Sequence, residues 1–449
     1  MTHAATLPYP SLPPVPEGAA WPPRLVPPSP PAGLPRLTPA QGVFPVDLQA
    51  HLARHGPPPY RGGPGLLTDQ VRAAGLTGRG GAAFPVHRKL AAVAESGTHR
   101  FVMGNGAEGE PASNKDKSLL WLSPHLVLDG LQLAAEAVGA RSIGLYVHRN
   151  PRLMRRLRAA VADRAAARID AAAVELIEAP SRFLAGEESA LSSRVSGGAA
   201  LPRYKPPRPA QRGVADRPTL VQNVETLAHL ALIARYGPRW FRAVGTDAEP
   251  GSMLVTLHRA DGRTDVAEVP LGIGLRDLPG LASHPAQAVL IGGYHGAWLP
   301  SAAAMRLPLA NAALRPLGAA VGAGVVAALP VDRCGLAESA RVARYLALES
   351  AGQCGPCFHG LPRMAAALAE LAGPRPDREV RADLERWAGL VEGRGACHHP
   401  DGTARFIRSA LRVFAGEIDR HERGQCTGSD GRPFLPVPAE APLQDADWI

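Results

Sequence analysis

The sequence predicts an α/β protein in three parts: a layered α/β domain, a small α+β module and a C-terminal four-helix bundle with a cysteine cluster. Strand-like and helix-like segments alternate from Gln70 to about residue 240. Two strand-like runs then flank Asp261-Gly262, a hairpin signal. From Cys334 onward the apolar spacing turns helical, and all five cysteines (Cys334, Cys354, Cys357, Cys397, Cys426) lie in this last quarter.

The elements follow in order. Residues 1–40 hold thirteen prolines without periodic apolar spacing, which predicts a disordered Pro-rich arm. A layered domain over 41–240 begins with a helix-like stretch from Gln70 and a Gly-rich loop, Gly75 to Pro85, followed by a strand at Arg100–Met103. After the polar loop 104–117, Ser123-Pro124 opens a helix with a capping residue and a proline at its first position. A strand (Ser142–Val147), a helix (Pro151 to about Ala167), a strand (Ala173–Ile177) and a helix over Pro218–Tyr236 complete it. The α+β module covers 245–330, with strands at Met253–Leu257 and Thr264–Val269. The helical domain over 331–425 places helices at Leu336–Leu348, Leu361–Leu371, Val380–Val391 and Thr403–His421, and 426–449 is a tail.

Composition excludes several function classes. The net charge is +9, but charged residues are 20% of the chain, no long basic block occurs and aromatics are 5%, so nucleic-acid binding is not expected. No apolar run reaches the roughly 18 residues of a membrane span, and no signal-peptide pattern opens the chain, which predicts a cytoplasmic protein without direct membrane insertion. Cysteines clustered at one end suggest metal or redox chemistry rather than disulfides. Of 49 basic residues only Lys89, Lys115, Lys117 and Lys205 are lysines, and each lies in a motif-like segment. Lysines retained in an Arg-rich chain mark places where a compact ammonium is needed.

Four polar segments carry candidate chemistry. Gly78-Arg79-Gly80-Gly-Ala-Ala83 matches a dinucleotide fingerprint but follows a helix and ends at Pro85, which is wrong for a Rossmann turn. Adjacent glycines still allow backbone N–H groups to approach an anion, with Arg79 and Lys89 supplying charge; an ordinary tight loop is the competing reading. Asn105-Gly-Ala-Glu108-Gly-Glu110 through Lys117 concentrates carboxylates, an amide and two lysines, and also fits a capping loop for the next helix. Gly186-Glu187-Glu188 opens a helix, where capping alone would explain it. Lys205-Pro-Pro-Arg-Pro leads into Gln222-Asn223-Val-Glu225-Thr226. Together these loops offer what a phosphorylated planar cofactor needs: backbone N–H groups, amides and room for stacking.

In matching order over about residues 65–425, these segments and Glu349-Ser-Ala-Gly-Gln-Cys354-Gly-Pro-Cys357 resemble the NADH-oxidising flavoprotein subunit of respiratory complex I and its relatives in NAD-linked hydrogenases and formate dehydrogenases. The resemblance implies an FMN-binding domain, a β-grasp-like module and a helical domain holding a [4Fe-4S] cluster. It places Gly78, Arg79, Gly80 and Lys89 in the flavin cradle. Asn105 and Glu108 fall near the flavin ring, with Gly186, Glu187 and Glu188 beside it. Gln222, Asn223 and Thr226 take the phosphate end, and Phe84, Glu110 and Lys205 contact the nicotinamide nucleotide. Glu108 and Glu188 are the expected catalytic carboxylates. Partners would be other redox subunits or ferredoxin-like proteins.

The chain departs from that pattern at telling positions. Ala107 replaces a carboxylate, Gln222 an asparagine, and Arg208 and Ala92 replace aromatic residues that flank the adenine. These changes leave NADH, NADPH or another donor open. The first cysteine of the cluster motif is Ala351, leaving Cys354, Cys357 and Cys397 as metal ligands. Cys334, His359, His398 or water would complete a cluster, a three-iron cluster would need no fourth ligand, and a zinc site of the three cysteines with His398 is the alternative. Cys426, in the tail, is set aside as a ligand. A divergent paralogue with a ferredoxin-type partner and a non-catalytic scaffold with decayed sites remain the other readings.

Overall fold

The structure, a computed structural model, describes residues 33–39, 44–204, 206–428, 432–438 and 446–449, and the backbone alone at 24–25 and 445. Among the described residues, ten strands form two sheets: β1 (Arg24–Leu25), β2 (Phe101–Gly106), β3 (Ser142–His148), β4 (Val174–Ala179), β5 (Thr219–Asn223), β6 (Ser252–His258), β7 (Thr264–Pro270), β8 (Ala286–Ile291), β9 (Ala297–Pro300) and β10 (Val325–Pro330).

The first sheet is parallel throughout, in the order β4-β3-β2-β5. Parallel strands need crossovers, and here Pro124–Val138 lies between β2 and β3, Pro151–Ala166 joins β3 to β4, and Glu188–Val195 lies between β4 and β5 and packs on the opposite face; Val224–Arg242 follows β5 and packs beside Pro124–Val138. The expected helix over Pro218–Tyr236 is corrected by this sheet. Thr219, Leu220 and Val221 are buried in strand β5 beside β2, and the helix starts only at Val224, with Asn223 as its cap. A β-branched, apolar run that can be buried on both sides favours the strand.

Five further strands build the second module, in the order β7-β6-β10-β8-β9. Its first and last strands, β6 and β10, run parallel at the centre and the outer pairs are antiparallel, as a β-grasp-like module requires. The hairpin turn lies at Asp261-Gly262, where Gly262 has φ +81° and Asp261 accepts a hydrogen bond from Arg263 N.

The helical region contains Gly335–Leu348, Leu361–Leu371, Glu379–Val391, His399–Val413 and Ala415–Glu422. The expected fourth helix is therefore two, broken at Phe414, whose buried ring lies where any side chain on Gly335 would stand.

Both expected appendages are partly built into the fold. Most of the Pro-rich arm lies outside the described residues, but Arg24–Leu25 pairs with β7 and Leu37 is buried. The backbone N–H groups of Arg36 and Leu37 both donate to the Glu268 carboxylate. In the tail, Phe434 N and Leu435 N donate to Glu338, and Tyr294 Oη donates to Pro436 O. Isolated buried residues among prolines escape a periodicity reading, because each is held by one partner rather than by a face.

Candidate functional site

Three of the four motif loops follow the C-terminal ends of β2, β4 and β5. Strand order reverses between β2 and β5, since β3 and β4 lie to one side of β2 and β5 to the other. An open parallel sheet binds ligands in the crevice outside its carboxyl ends at such a switch point. The Gly-rich loop closes against it: a Cβ on Gly80 would stand 3.2 Å from Asn223 Cβ, and Arg79 N donates to Thr226 Oγ1 (2.8 Å).

Close backbone approach shapes the crevice wall. A Cβ on Gly186 would meet Ala107 O at 2.5 Å, one on Gly109 would meet Phe183 O at 2.3 Å, and Asn105 Nδ2 donates to Gly186 O (2.7 Å). Lys89 Nζ pairs with Glu188 Oε2 (3.1 Å), both partly exposed. The Gln222 carboxamide makes no side-chain hydrogen bond among the described residues, and Phe84 exposes 44% of its surface. At a switch-point crevice, an amide with open valences and an exposed ring fit a planar phosphorylated ligand such as FMN. Lys205 lies outside the described residues.

Several motif side chains are engaged in holding the loops. The guanidinium of Arg79 turns inward and donates to the carbonyls of Thr77, Ser252 and Pro250, tying the layered domain to the second module. With Thr77 Oγ1 as a further acceptor, four of its five N–H donors are engaged in this way. The Glu108 carboxylate is likewise engaged within its own loop. It accepts from Ser113 Oγ, Asp116 N and Lys117 N at the start of helix Lys115–Leu122. Burial opposes its ionisation, but Lys117 and Lys115 with these hydrogen bonds hold its pKa below the ordinary value. Glu187 caps helix Glu188–Val195, Asn223 caps Val224–Arg242, and Thr226 is fully buried as the acceptor for Arg79 N.

Glu110 is different. Its carboxylate accepts from Tyr294 N (2.7 Å) and Ala112 N (3.3 Å), and burial, against these bonds, raises its pKa to about 7. Lys115, one of the four retained lysines, is 2% exposed between Asp116 Oδ1 (2.7 Å) and Glu225 Oε2 (2.9 Å). Burial lowers its pKa, but Asp116, Glu225 and Glu108 more than offset that and keep the ammonium charged. Its rarity among 45 arginines was the available signal.

Cys354 and Cys357 stand 3.7 Å apart, sulfur to sulfur, at the start of the Pro356–Gly360 turn. Burial raises the Cys397 thiol to about 11, and nearby Cys357, Glu187 and Cys354 act in the same direction. Phe183 N donates to Glu349 Oε2 (2.8 Å) and Arg182 pairs with Glu349 Oε1 (3.1 Å), docking the cysteine loop on the crevice wall. His398, the fourth member of the zinc alternative, is 94% exposed.

Cys334 lies elsewhere. It caps the N-terminus of helix Gly335–Leu348, whose 14 residues span about 21 Å, while Cys354 follows the other end. Ligand atoms of Cys334, Glu417, His421 and Cys426 lie within 4.8 Å of one another, so this group of two thiols, an imidazole and a carboxylate has metal-ligand spacing. Cys426 is thus corrected from bystander to member of a candidate site.

Residues 71–232 match the Nuo51 FMN-binding domain, and residues 337–421 match the NADH-ubiquinone oxidoreductase-F iron–sulfur binding region. The NADH-quinone oxidoreductase F 2 subunit of Rhizobium meliloti is 29% identical over 81% of this chain and 90% of its own. The NADH-quinone oxidoreductase F subunit of Streptomyces coelicolor is 29% identical over 84% and 86%. An NAD+-reducing [NiFe]-hydrogenase in its H2-reduced state superposes with a TM-score of 0.71 at 29% identity, covering 81% of this chain and 63%, less than two thirds, of the hydrogenase chain. The chain belongs to the family of FMN- and iron–sulfur-binding subunits found in respiratory complex I and NAD-reducing hydrogenase-type oxidoreductases, at moderate divergence.

Proposed function

We propose that this chain oxidises NADH, or NADPH, at FMN in the switch-point crevice and passes electrons through an iron–sulfur cluster at Cys354, Cys357 and Cys397 to a protein acceptor. The acceptor is the next redox subunit of an assembly or a ferredoxin-type protein, and the setting is cytoplasmic. Residues 41–240 serve as the flavin and nucleotide unit, 245–330 as the β-grasp-like brace and 331–425 as the cluster unit. FMN when bound supplies the exchange between hydride and single-electron transfer, and the cluster supplies a one-electron relay.

The residues divide the remaining work. Gly80 and Gly186 let the loops that form the crevice walls pack closely, Gly80 on Asn223 and Gly186 on the Ala107 carbonyl. Gln222 presents an uncommitted amide, and Lys89 with Glu188 sets a paired charge at the wall. Glu110, poised near neutral pH, holds or releases a proton at its Oε atoms beside the 291–295 turn. Phe84 offers an exposed ring to a nucleotide base.

The observation that carries the proposal is the docking of the cysteine loop, through Glu349, on the same 182–188 segment that forms the crevice wall. An anaerobic absorption spectrum of the purified protein with metal analysis, before and after NADH and then NADPH, tests it. Flavin bands bleached by either nucleotide, with iron present, support the proposal and rank the donors. Flavin that stays oxidised points to another donor, and a protein free of flavin and iron supports a scaffold.

A further inference from the structure

A second metal centre emerges from the cysteines that the iron–sulfur motif does not use. Cys334, Glu417, His421 and Cys426 come from the junction after β10, one face of helix Ala415–Glu422, and the start of the tail. Their ligand atoms lie within 4.8 Å of one another, with Cys334 Sγ 3.4 Å from His421 Nε2 and Glu417 Oε1 3.4 Å from the same nitrogen. Tetrahedral zinc with ordinary bond lengths puts a sulfur and a nitrogen ligand about 3.6 Å apart, and a nitrogen and an oxygen ligand about 3.4 Å apart.

The imidazole is oriented for such a role. His421 Nδ1 stands 3.1 Å from Gly373 O, a carbonyl that can only accept, so Nδ1 carries the proton. In the neutral ring this leaves the Nε2 lone pair aimed at the Glu417 carboxylate and the Cys334 sulfur. A thiol proton from Cys334 or a metal ion fits that position, and a backbone carbonyl on the far nitrogen is the usual outer-shell partner of a metal-bound histidine. The surroundings complete the arrangement. Ala337 N donates to Cys334 Sγ, Gly428 N to Cys426 Sγ, and Arg420 pairs with Glu417 Oε2 (3.0 Å), which offsets the excess negative charge of two thiolates and a carboxylate.

We infer that Cys334, Glu417, His421 and Cys426 bind one Zn2+ ion that fastens the tail over the start of the helical region. Two thiolates, one imidazole and one carboxylate with no open position describe a structural rather than a catalytic site. The tail is shaped to close it: a Cβ on Gly428 would stand 3.3 Å from Cys334 Cβ, and Thr427 N donates to Glu417 Oε1 (2.7 Å).

The test is elemental analysis of the full-length holoprotein, purified anaerobically without chelators from zinc-supplemented medium. One equivalent of zinc is expected in addition to any iron. Cys334→Ser/Cys426→Ser should lose that zinc while keeping iron and flavin. Cys357→Ser should keep it. Zinc K-edge absorption on the wild type, which needs no variant to fold, should show two sulfur neighbours at about 2.3 Å and two lighter ones. Zinc-free wild-type protein, a Cys334–Cys426 disulfide found by non-reducing mass spectrometry of the anaerobically purified, thiol-blocked protein, or zinc retained by the double variant but lost from Cys357→Ser would each overturn the inference.

Discussion

The crevice and the helical region treat their motif residues in opposite ways. At the crevice, conspicuous side chains turn away from the ligand space: Arg79 braces two modules, and Glu108, Glu187 and Asn223 cap helices. In the proposed flavin site, backbone and a few residues such as Gln222 and Lys89 are left to meet the ligand. In the helical region the reactive atoms face one another directly, and one helix separates them into two groups, Cys354, Cys357 and Cys397 beside the crevice wall and Cys334 with Cys426 at the far end. A loop that must present backbone to a cofactor needs side chains to hold its shape. A metal needs the side chains themselves.

Cys357→Ser should break the second region most completely. The variant is expected to lose essentially all of its iron while flavin content stays near the wild-type level, measured by iron analysis and flavin absorbance on the same preparation. Loss of flavin as well would mean that the cluster loop builds the crevice instead of docking on it. Lys115→Met strikes the first region next. It leaves Asp116 and Glu225 buried without their cation, and breaking such a pair costs about 3–5 kcal/mol. Urea unfolding followed by circular dichroism should show that loss. A change below about 1 kcal/mol would mean that the two carboxyls take up protons instead.

Smaller in effect is Gly186→Ala. Its Cβ would lie 2.5 Å from Ala107 O, so the 105–110 and 183–188 loops must separate. Strain of this kind costs about 1–3 kcal/mol, and flavin retention through gel filtration should fall several-fold. Unchanged retention would place the flavin away from this wall.

Legibility in the sequence followed how locally each feature is determined. The helices at 361–371 and 379–391 agree with their apolar spacing, because a repeated face is written in the residues that form it. Strand β5 was hidden, since Thr219 to Val221 become a strand only when β2 is there to pair with them. The site loops were visible as motifs, yet which side chains face the ligand was not, because direction depends on partners far along the chain. Arg79 meets Ser252, 173 residues on, and Glu110 meets Tyr294, 184 residues on. The Cys334 group was invisible for the same reason, as 87 residues separate Cys334 from His421.

The smallest expected effect sharpens the comparison through pH. Burial raises Glu110 to about 7 from an ordinary 4.5, so between those values the folded protein holds a proton that the unfolded chain has released. Stability from this group is full below pH 4.5 and falls as pH rises through 7. His55 and His125 act the other way: burial lowers each to about 3, so their contribution is full above 6.5 and falls as pH drops toward 3. Glu110→Gln should therefore flatten the decline between pH 5 and 8 and leave the acid limb unchanged in urea titrations at several pH values. If Glu110 also handles a proton during turnover, the same variant should remove an inflection near pH 7 from kcat with NADH, whereas Lys89→Met should lower activity without moving that inflection. An inflection that survives Glu110→Gln would assign it to another group and leave Glu110 as a brace between the 105–110 loop and the 291–295 turn.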